Sequence, residues 1–140
     1  MSDWDIRTIV LGYDESEGAE RAARLATALA RQHQARIHVV TTFHWSYSLD
    51  AMGDRADQAA DHAESVAQTL VSRFQGDGIE ASAEVVDGQA GEVLVRAAAA
   101  QNADLIVVGR RGHGLAASLL LGSTSEYVVR RATTPVLVAN

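Results

Sequence analysis

The stretch "GRRGHGLAASLLLGS", residues 109–123, puts Gly109, Gly112, Gly114 and Gly122 into one connection together with Arg110, Arg111 and His113. Residues of these types can hold phosphate. Glycine lets backbone N–H groups close on an anion without interference from a Cβ, and the two arginines and the histidine supply positive charge. The segment that follows, "STSEYVVRRA", has a helical pattern. A helix start offers unpaired N–H groups and a partial positive charge, both favourable to phosphate oxygens. The hydroxyls of Ser123, Thr124 and Ser125 can add hydrogen bonds. A second reading fits the same residues: "STSE" is a capping box that needs no ligand, and loop glycines also serve ordinary turns. Local chemistry leaves both open.

Other chemistries find less support. The chain has no cysteine, so a disulfide framework and a thiolate metal site are excluded. His33, His38, His44, His62 and His113 are scattered, and no pair has the spacing of a metal site. No base stands beside Ser123 in sequence to activate it as a nucleophile. All 12 basic residues are arginine. The missing lysine removes the P-loop, which places a lysine on the phosphates. Arg130 and Arg131 fall in a last helical turn, where the helix dipole explains them.

The chain as a whole is an acidic globular domain. Its 140 residues suit one domain, residues 1–140, with 47% hydrophobic and 21% charged residues. A net charge of −6 argues against nucleic acid, whose phosphates attract basic surfaces. No apolar run approaches the roughly 20 residues needed to span a bilayer, so no membrane is expected. The start "MSDWDIRT" lacks the apolar segment of a signal peptide, and a cytoplasmic location is the expectation.

Five strand-like runs alternate with four helical patterns: "TIVLGY", "RIHVVTT", "IEASAEVV", "DLIVVG" and "PVLVA". Between the first two runs, Ala22, Leu25, Ala26 and Leu29 recur at helical spacing; before the third, Ala59, Ala63, Val66, Ala67 and Leu70 do. Strands alternating with helices predict βαβ units and a single three-layer, open parallel sheet of Rossmann-like α/β class. "IVL" and "LIVV" are apolar without alternation, as in central strands covered on both faces. "IEASAEVV" alternates and belongs at an edge. Right-handed crossovers then favour the order 3-2-1-4-5, with strands 1 and 4 neighbours at the topological switch point where open α/β sheets bind ligands. The glycine connection leaves strand 4 there. "HWSYSLDAMGD", residues 44–54, is the one long irregular connection, a surface loop or a flap.

Gly109, two residues, Gly112, nine residues, then Gly122-Ser123 resembles the nucleotide-binding motif of the universal stress protein family, in its ATP-binding branch. "IVLGYDESEGAERAARLA" is similar to that family's first strand and helix, with Asp14 in the acidic position. "ADLIVVGRRGHG" and "LLLGSTSEYVVRRATTPVLVAN" resemble the fourth strand, loop, last helix and last strand. One departure is at the first turn, where Gly12-Tyr13-Asp14 replaces the more frequent sequence and Glu15 stands where glycine is common. The resemblance implies ATP across the carboxyl ends of strands 1, 2 and 4. Adenine would lie near Gly12, Asp14 and Thr41, and ribose and phosphates would run over Gly109, Arg110, Arg111, Gly112, His113 and Gly114 to Gly122, Ser123 and Thr124. Mg2+ or Mn2+ would ride on the phosphates. Helix capping is an alternative role for Asp14. The resemblance also implies a homodimer through the last strand at Val136, Leu137 and Val138, which would cover an apolar edge.

Rival α/β families fit less well. A dinucleotide-binding domain would carry its glycine fingerprint after strand 1, a receiver domain would need a lysine after strand 5, and a nucleotidyl transferase a His-x-Gly-His. The expected function is a nucleotide-dependent stress-response regulator or signalling module. A slow ATPase and a nucleotide-free interaction protein are the alternatives, and no catalytic residue is assigned.

Overall fold

In a computed structural model, the structure describes residues 4–43, 52–110 and 121–140, with the backbone alone over 52–57. The elements run β1 (Thr8–Gly12), α1 (Glu17–His33), β2 (Arg36–Phe43), α2 (Met52–Gly76), β3 (Ala81–Asp87), α3 (Ala90–Ala100), β4 (Leu105–Gly109), α4 (Ser123–Arg131) and β5 (Val136–Ala139). All strand pairs are parallel, in the order β3-β2-β1-β4-β5 expected from the sequence. β1 and β4 are therefore neighbours, with Ile9 opposite Leu105 and Leu11 opposite Val107. The start of this pair is pinned by Asp104, whose Oδ2 accepts from the N–H groups of Arg7 and Thr8 at 2.9 and 3.0 Å.

Side-chain alternation divides the central strands between two cores. Ile9, Leu11, Ile37, Val39, Leu105 and Val107 face α1 and α2, while Val10, Val40, Ile106 and Val108 face α3. β3 is the predicted edge strand; Ala81 and Ala83 pack inward while Ser82 and Asp87 are exposed.

α1 differs from the expected packing. Its buried face is Ala19, Ala22, Ala23, Ala26 and Ala30, whereas Leu25 is 40% exposed and Leu29 half-buried. The reason is proximity: α1 lies so close to β4 that alanine side chains fill the space and a leucine does not fit. On the flank facing α2, Glu20 pairs with Arg73 and Arg31 with Asp77. Leu25 and Leu29 lie on the opposite flank, which a helix repeat of about 3.6 residues turns toward β5.

Among the described residues, Phe74 of α2 is the largest fully buried side chain, at the junction of α2 with β2 and β3. We expect Phe74→Ala to cost about 3–5 kcal/mol, read as a lower urea midpoint with a two-state transition retained.

Candidate functional site

The carboxyl ends of β1, β2 and β4 converge on the β1–α1 turn and on the two ends of the glycine connection. Ser16 is the N-cap of α1, its Oγ accepting from Ala19 N–H at 3.1 Å. Asp14 is therefore not the cap. Its Oδ1 instead accepts from Ser16 N–H at 3.0 Å and from Ser16 Oγ–H at 2.5 Å, so it braces the residue that does the capping. Between them Glu15 has φ 67, in the left-handed region that favours glycine.

Gly109 of the motif and Gly12 at the end of β1 both sit where the protein's own packing comes close. A Cβ on Gly109 would stand 2.5 Å from the carbonyl carbon of Gly18 and 2.7 Å from its oxygen, so α1 passes backbone to backbone over the end of β4. A Cβ on Gly12 would meet Leu94 Cδ1 at 2.8 Å and Val108 Cγ1 at 3.3 Å. Something does come close to these backbones, and it is the chain itself.

The ends of the glycine connection are joined. Gly122 N–H donates to the Arg110 carbonyl at 2.8 Å, and Arg110 N–H donates to the Ala139 carbonyl at 2.9 Å. Ser125 Oγ, 1% exposed, donates to the same Arg110 carbonyl at 2.7 Å and approaches the Gly122 carbonyl at 3.1 Å. The capping box does not form: Gly122 is the N-cap, α4 has no side-chain cap, and Ser123 is already helical. The first N–H groups of α4, at Ser123 and Thr124, thus lack both an intrahelical acceptor and a capping side chain. Ser125, which sequence reading treated as one more phosphate-facing hydroxyl, closes the base of the connection instead.

Thr41, at the carboxyl half of β2, is 4% exposed, and its Oγ1 is buried with no hydrogen-bond partner. A lost hydrogen bond at a buried hydroxyl costs about 1–3 kcal/mol. The structure thus brings Gly12, Asp14, Thr41, Gly109, Arg110, Gly122, Ser123 and Thr124 to one end of the sheet. Arg111, Gly112, His113 and Gly114 lie outside the described residues, as do residues 44–51 of the expected irregular segment 44–54; its last three, Met52, Gly53 and Asp54, are not irregular but form the start of α2. Among the described residues there is no group of three or more His, Cys, Asp or Glu side chains that could hold a metal ion, and no helix is long and apolar enough to cross a membrane.

Three polar groupings were not legible in the sequence. Tyr13 hydroxyl donates to Glu20, which also accepts from Arg73 Nη1 at 3.3 and 3.4 Å. His62 Nε2–H donates to Glu15 Oε2 at 2.7 Å. His38, 5% exposed, has Nδ1 2.7 Å from Ser82 Oγ, while its Nε2 is buried and unpartnered, 3.6 Å from Glu84 Oε2. Each joins residues far apart in sequence, and no motif spacing announces them.

With this geometry in place, comparison with known proteins decides the family. The model of the universal stress protein family matches residues 5–140. The chain belongs to the universal stress protein family. A universal stress protein encoded 3′ of a QAH/OAS sulfhydrylase in Thermus aquaticus is 37% identical over 142 residues, covering 94% of this chain and 97% of the relative. Universal stress protein UspA from Lactobacillus plantarum has the same fold, with TM-score 0.87 at 23% identity over 99% of this chain and 100% of its own. A universal stress protein solved in complex with cAMP aligns with TM-score 0.74 at 27% identity, covering 96% of this chain and 97% of its own.

The Tyr13–Glu20–Arg73 grouping sets a pH dependence. Burial, then the hydrogen bond to Glu20, pushes the Tyr13 phenol up to about 12. The Tyr13 hydroxyl, and secondarily the charge of Arg73, holds Glu20 below the ordinary glutamate value of 4.5. A depressed carboxyl contributes stability that is present above its unfolded value and lost as pH falls through the folded one; the raised phenol contributes below 10.0 and loses its contribution through about 12. Tyr13→Phe should move the acid-unfolding midpoint to higher pH, followed by circular dichroism. An unchanged midpoint would mean that the Tyr13 bond does not shift Glu20.

Proposed function

We propose that this universal stress protein binds an adenine nucleotide, ATP in the first instance, across the carboxyl ends of β1, β2 and β4, and acts as a nucleotide-dependent regulator or signalling module. The observation that carries the reading is the start of α4: an uncapped helix N-terminus whose Gly122 is tied to Arg110 at the end of β4, beside the β1–β4 switch point. The buried, unpartnered Thr41 hydroxyl supports it, since an adenine edge offers both donors and acceptors. So does the relative that was solved with cAMP.

In this pose the adenosine lies against Gly12, Asp14 and Thr41, and the phosphates lie on Ser123 and Thr124 with Arg110 and Gly109 below them. Arg111, Gly112, His113 and Gly114 complete the cradle. Mg2+ or Mn2+ is carried on the phosphates rather than by protein carboxylates. Fast hydrolysis needs a base or water-orienting group at the γ-phosphate. Asp14, in the β1–α1 turn, sits at the adenosine end, so the protein works by binding. Nucleotide would favour whichever arrangement of the glycine connection it binds better.

The reading also includes a homodimer through β5. The edge strand presents half-buried Val136, Leu137 and Val138. Exposed apolar residues flank it from both layers: Leu25 on the outer flank of α1, and Val129, 50% exposed, on α4. Tyr127 packs that helix against Gly91 of α3, which turns Val129 away from α3. Pairing two copies covers the edge and both flanks.

Gly122 is buried, but its φ −69 and ψ 165 are open to any residue, so Gly122→Glu places a carboxylate where phosphates belong without backbone strain. We expect calorimetry to register at least a tenfold loss of ATP affinity with an unchanged circular dichroism spectrum, and chromatography after the wild-type titration to recover the nucleotide as ATP. Undiminished binding by the variant would refute the placement. Separately, Val138→Asp should convert a dimer to a monomer in light scattering at micromolar concentration; a wild-type monomer would refute the β5 interface.

A further inference from the structure

Glu15 stands in a conformation that side-chain-bearing residues rarely adopt, φ 67, in the turn that carries Asp14. Glycine would enter it freely. A glutamate kept there needs a partner, and it has one on another element: Glu15 Oε2 accepts from His62 Nε2 at 2.7 Å, 47 residues away on α2. The residue on the other side of Asp14 is tied to the same helix, because Tyr13 bonds Glu20 and Glu20 bonds Arg73 of α2. Between the turn and α2 a cleft of about 170 Å³ remains, lined by Tyr13, Glu15, His62 and Arg73 among others. The turn and α2 are thus connected across this space by polar side chains, beside the packing of Tyr13 on the core that includes Leu70.

We propose that Glu15 and His62 form a latch that holds the β1–α1 turn in the conformation presenting Asp14, and through which α2 responds to occupancy of the adenine-nucleotide site. The inference rests on the nucleotide reading above. The bistable element is the Glu15 backbone. With the latch closed it is left-handed and Asp14 lies against Ser16. With the latch open Glu15 relaxes to an ordinary conformation, and Asp14 moves with it. Both partners are substantially exposed, 69% for the His62 side chain and 47% for Glu15, so the pair is weak and its equilibrium is within reach of a ligand. Coupling of this kind is reciprocal: a closed latch favours nucleotide, and bound nucleotide favours a closed latch. Glu15 and His62 are positioning residues here and touch no phosphate.

The test titrates ATP by calorimetry into wild type, His62→Ala, Glu15→Gly and the exchanged pair Glu15→His with His62→Glu. Amide exchange along α2 is followed in each with and without ATP. We expect His62→Ala to bind ATP about two- to fivefold more weakly and the exchanged pair to recover most of that loss. Glu15→Gly should also bind more weakly although its thermal midpoint rises, because glycine relieves the left-handed conformation. Loss of affinity with gain of stability is not what a merely structural contact produces. ATP should slow exchange around His62 in wild type and not in His62→Ala. If wild type binds ATP and all four proteins bind it equally with the same α2 protection, the latch is overturned and the nucleotide reading stands. If wild type binds no ATP, the nucleotide reading itself fails and the coupling falls with it.

Discussion

Gly109 and Gly18 leave no room for a side chain between the end of β4 and the first turn of α1; a Cβ on Gly109 would stand 2.5 Å from the Gly18 carbonyl carbon. Much else follows from this contact of backbone on backbone. It requires small residues along the rest of the interface, which is why the buried face of α1 is five alanines and why Leu25 turns outward. It also fixes the N-terminus of α1 directly over the switch point. Ser16, Asp14 and Glu15 are therefore delivered to the carboxyl ends of β1 and β4 by the same close approach that packs the helix.

The other half of the site depends on a small hydrogen-bonded knot. The Arg110 carbonyl accepts from Gly122 N–H and from the buried Ser125 hydroxyl, while Arg110 N–H extends the β5 ladder to Ala139. Fixing both ends of the glycine connection means that its closure entropy is met by interactions in the sheet and in α4 rather than by a ligand. The start of α4 is thereby held in place with no side-chain cap on its first amides among the described residues, and a fixed start of this kind is what an anion site needs.

Polar ties on the α2 side are of a different character. Glu15–His62, Glu20–Arg73 and Arg31–Asp77 are exposed or partly exposed pairs, each contributing little on its own. They link α2 to the turn and to α1 without the backbone contact that locks α1 to β4. α2 is held by its own apolar face instead, with Ala63, Ala67, Leu70, Val71 and Phe74 buried.

The amino-acid sequence by itself determined the architecture. Unbroken apolar runs in β1 and β4, alternation in β3 and helical spacing between them led to a parallel sheet in the order β3-β2-β1-β4-β5, because burial on one or two faces leaves a periodic trace in the residues. It also located the end of the sheet where Asp14, Thr41 and the glycine connection meet. The tertiary structure alone decided what individual residues do there. A glycine that admits a ligand and a glycine that admits a helix look alike in sequence; at Gly109 the backbone of Gly18 comes within 2.5 Å of where a Cβ would stand, and at Gly12 the Leu94 side chain comes within 2.8 Å. A serine three residues from a glutamate reads as a capping box wherever it occurs, but with Gly122 as the N-cap, Ser123 joined the helix and Ser125 turned back to the Arg110 carbonyl. The partners of Glu15 and His38, and the Arg73 partner of Glu20, lie on elements joined only by folding. Local pattern records which face of an element is buried; it does not record which neighbour arrives on that face, and at this site the neighbour sets the role.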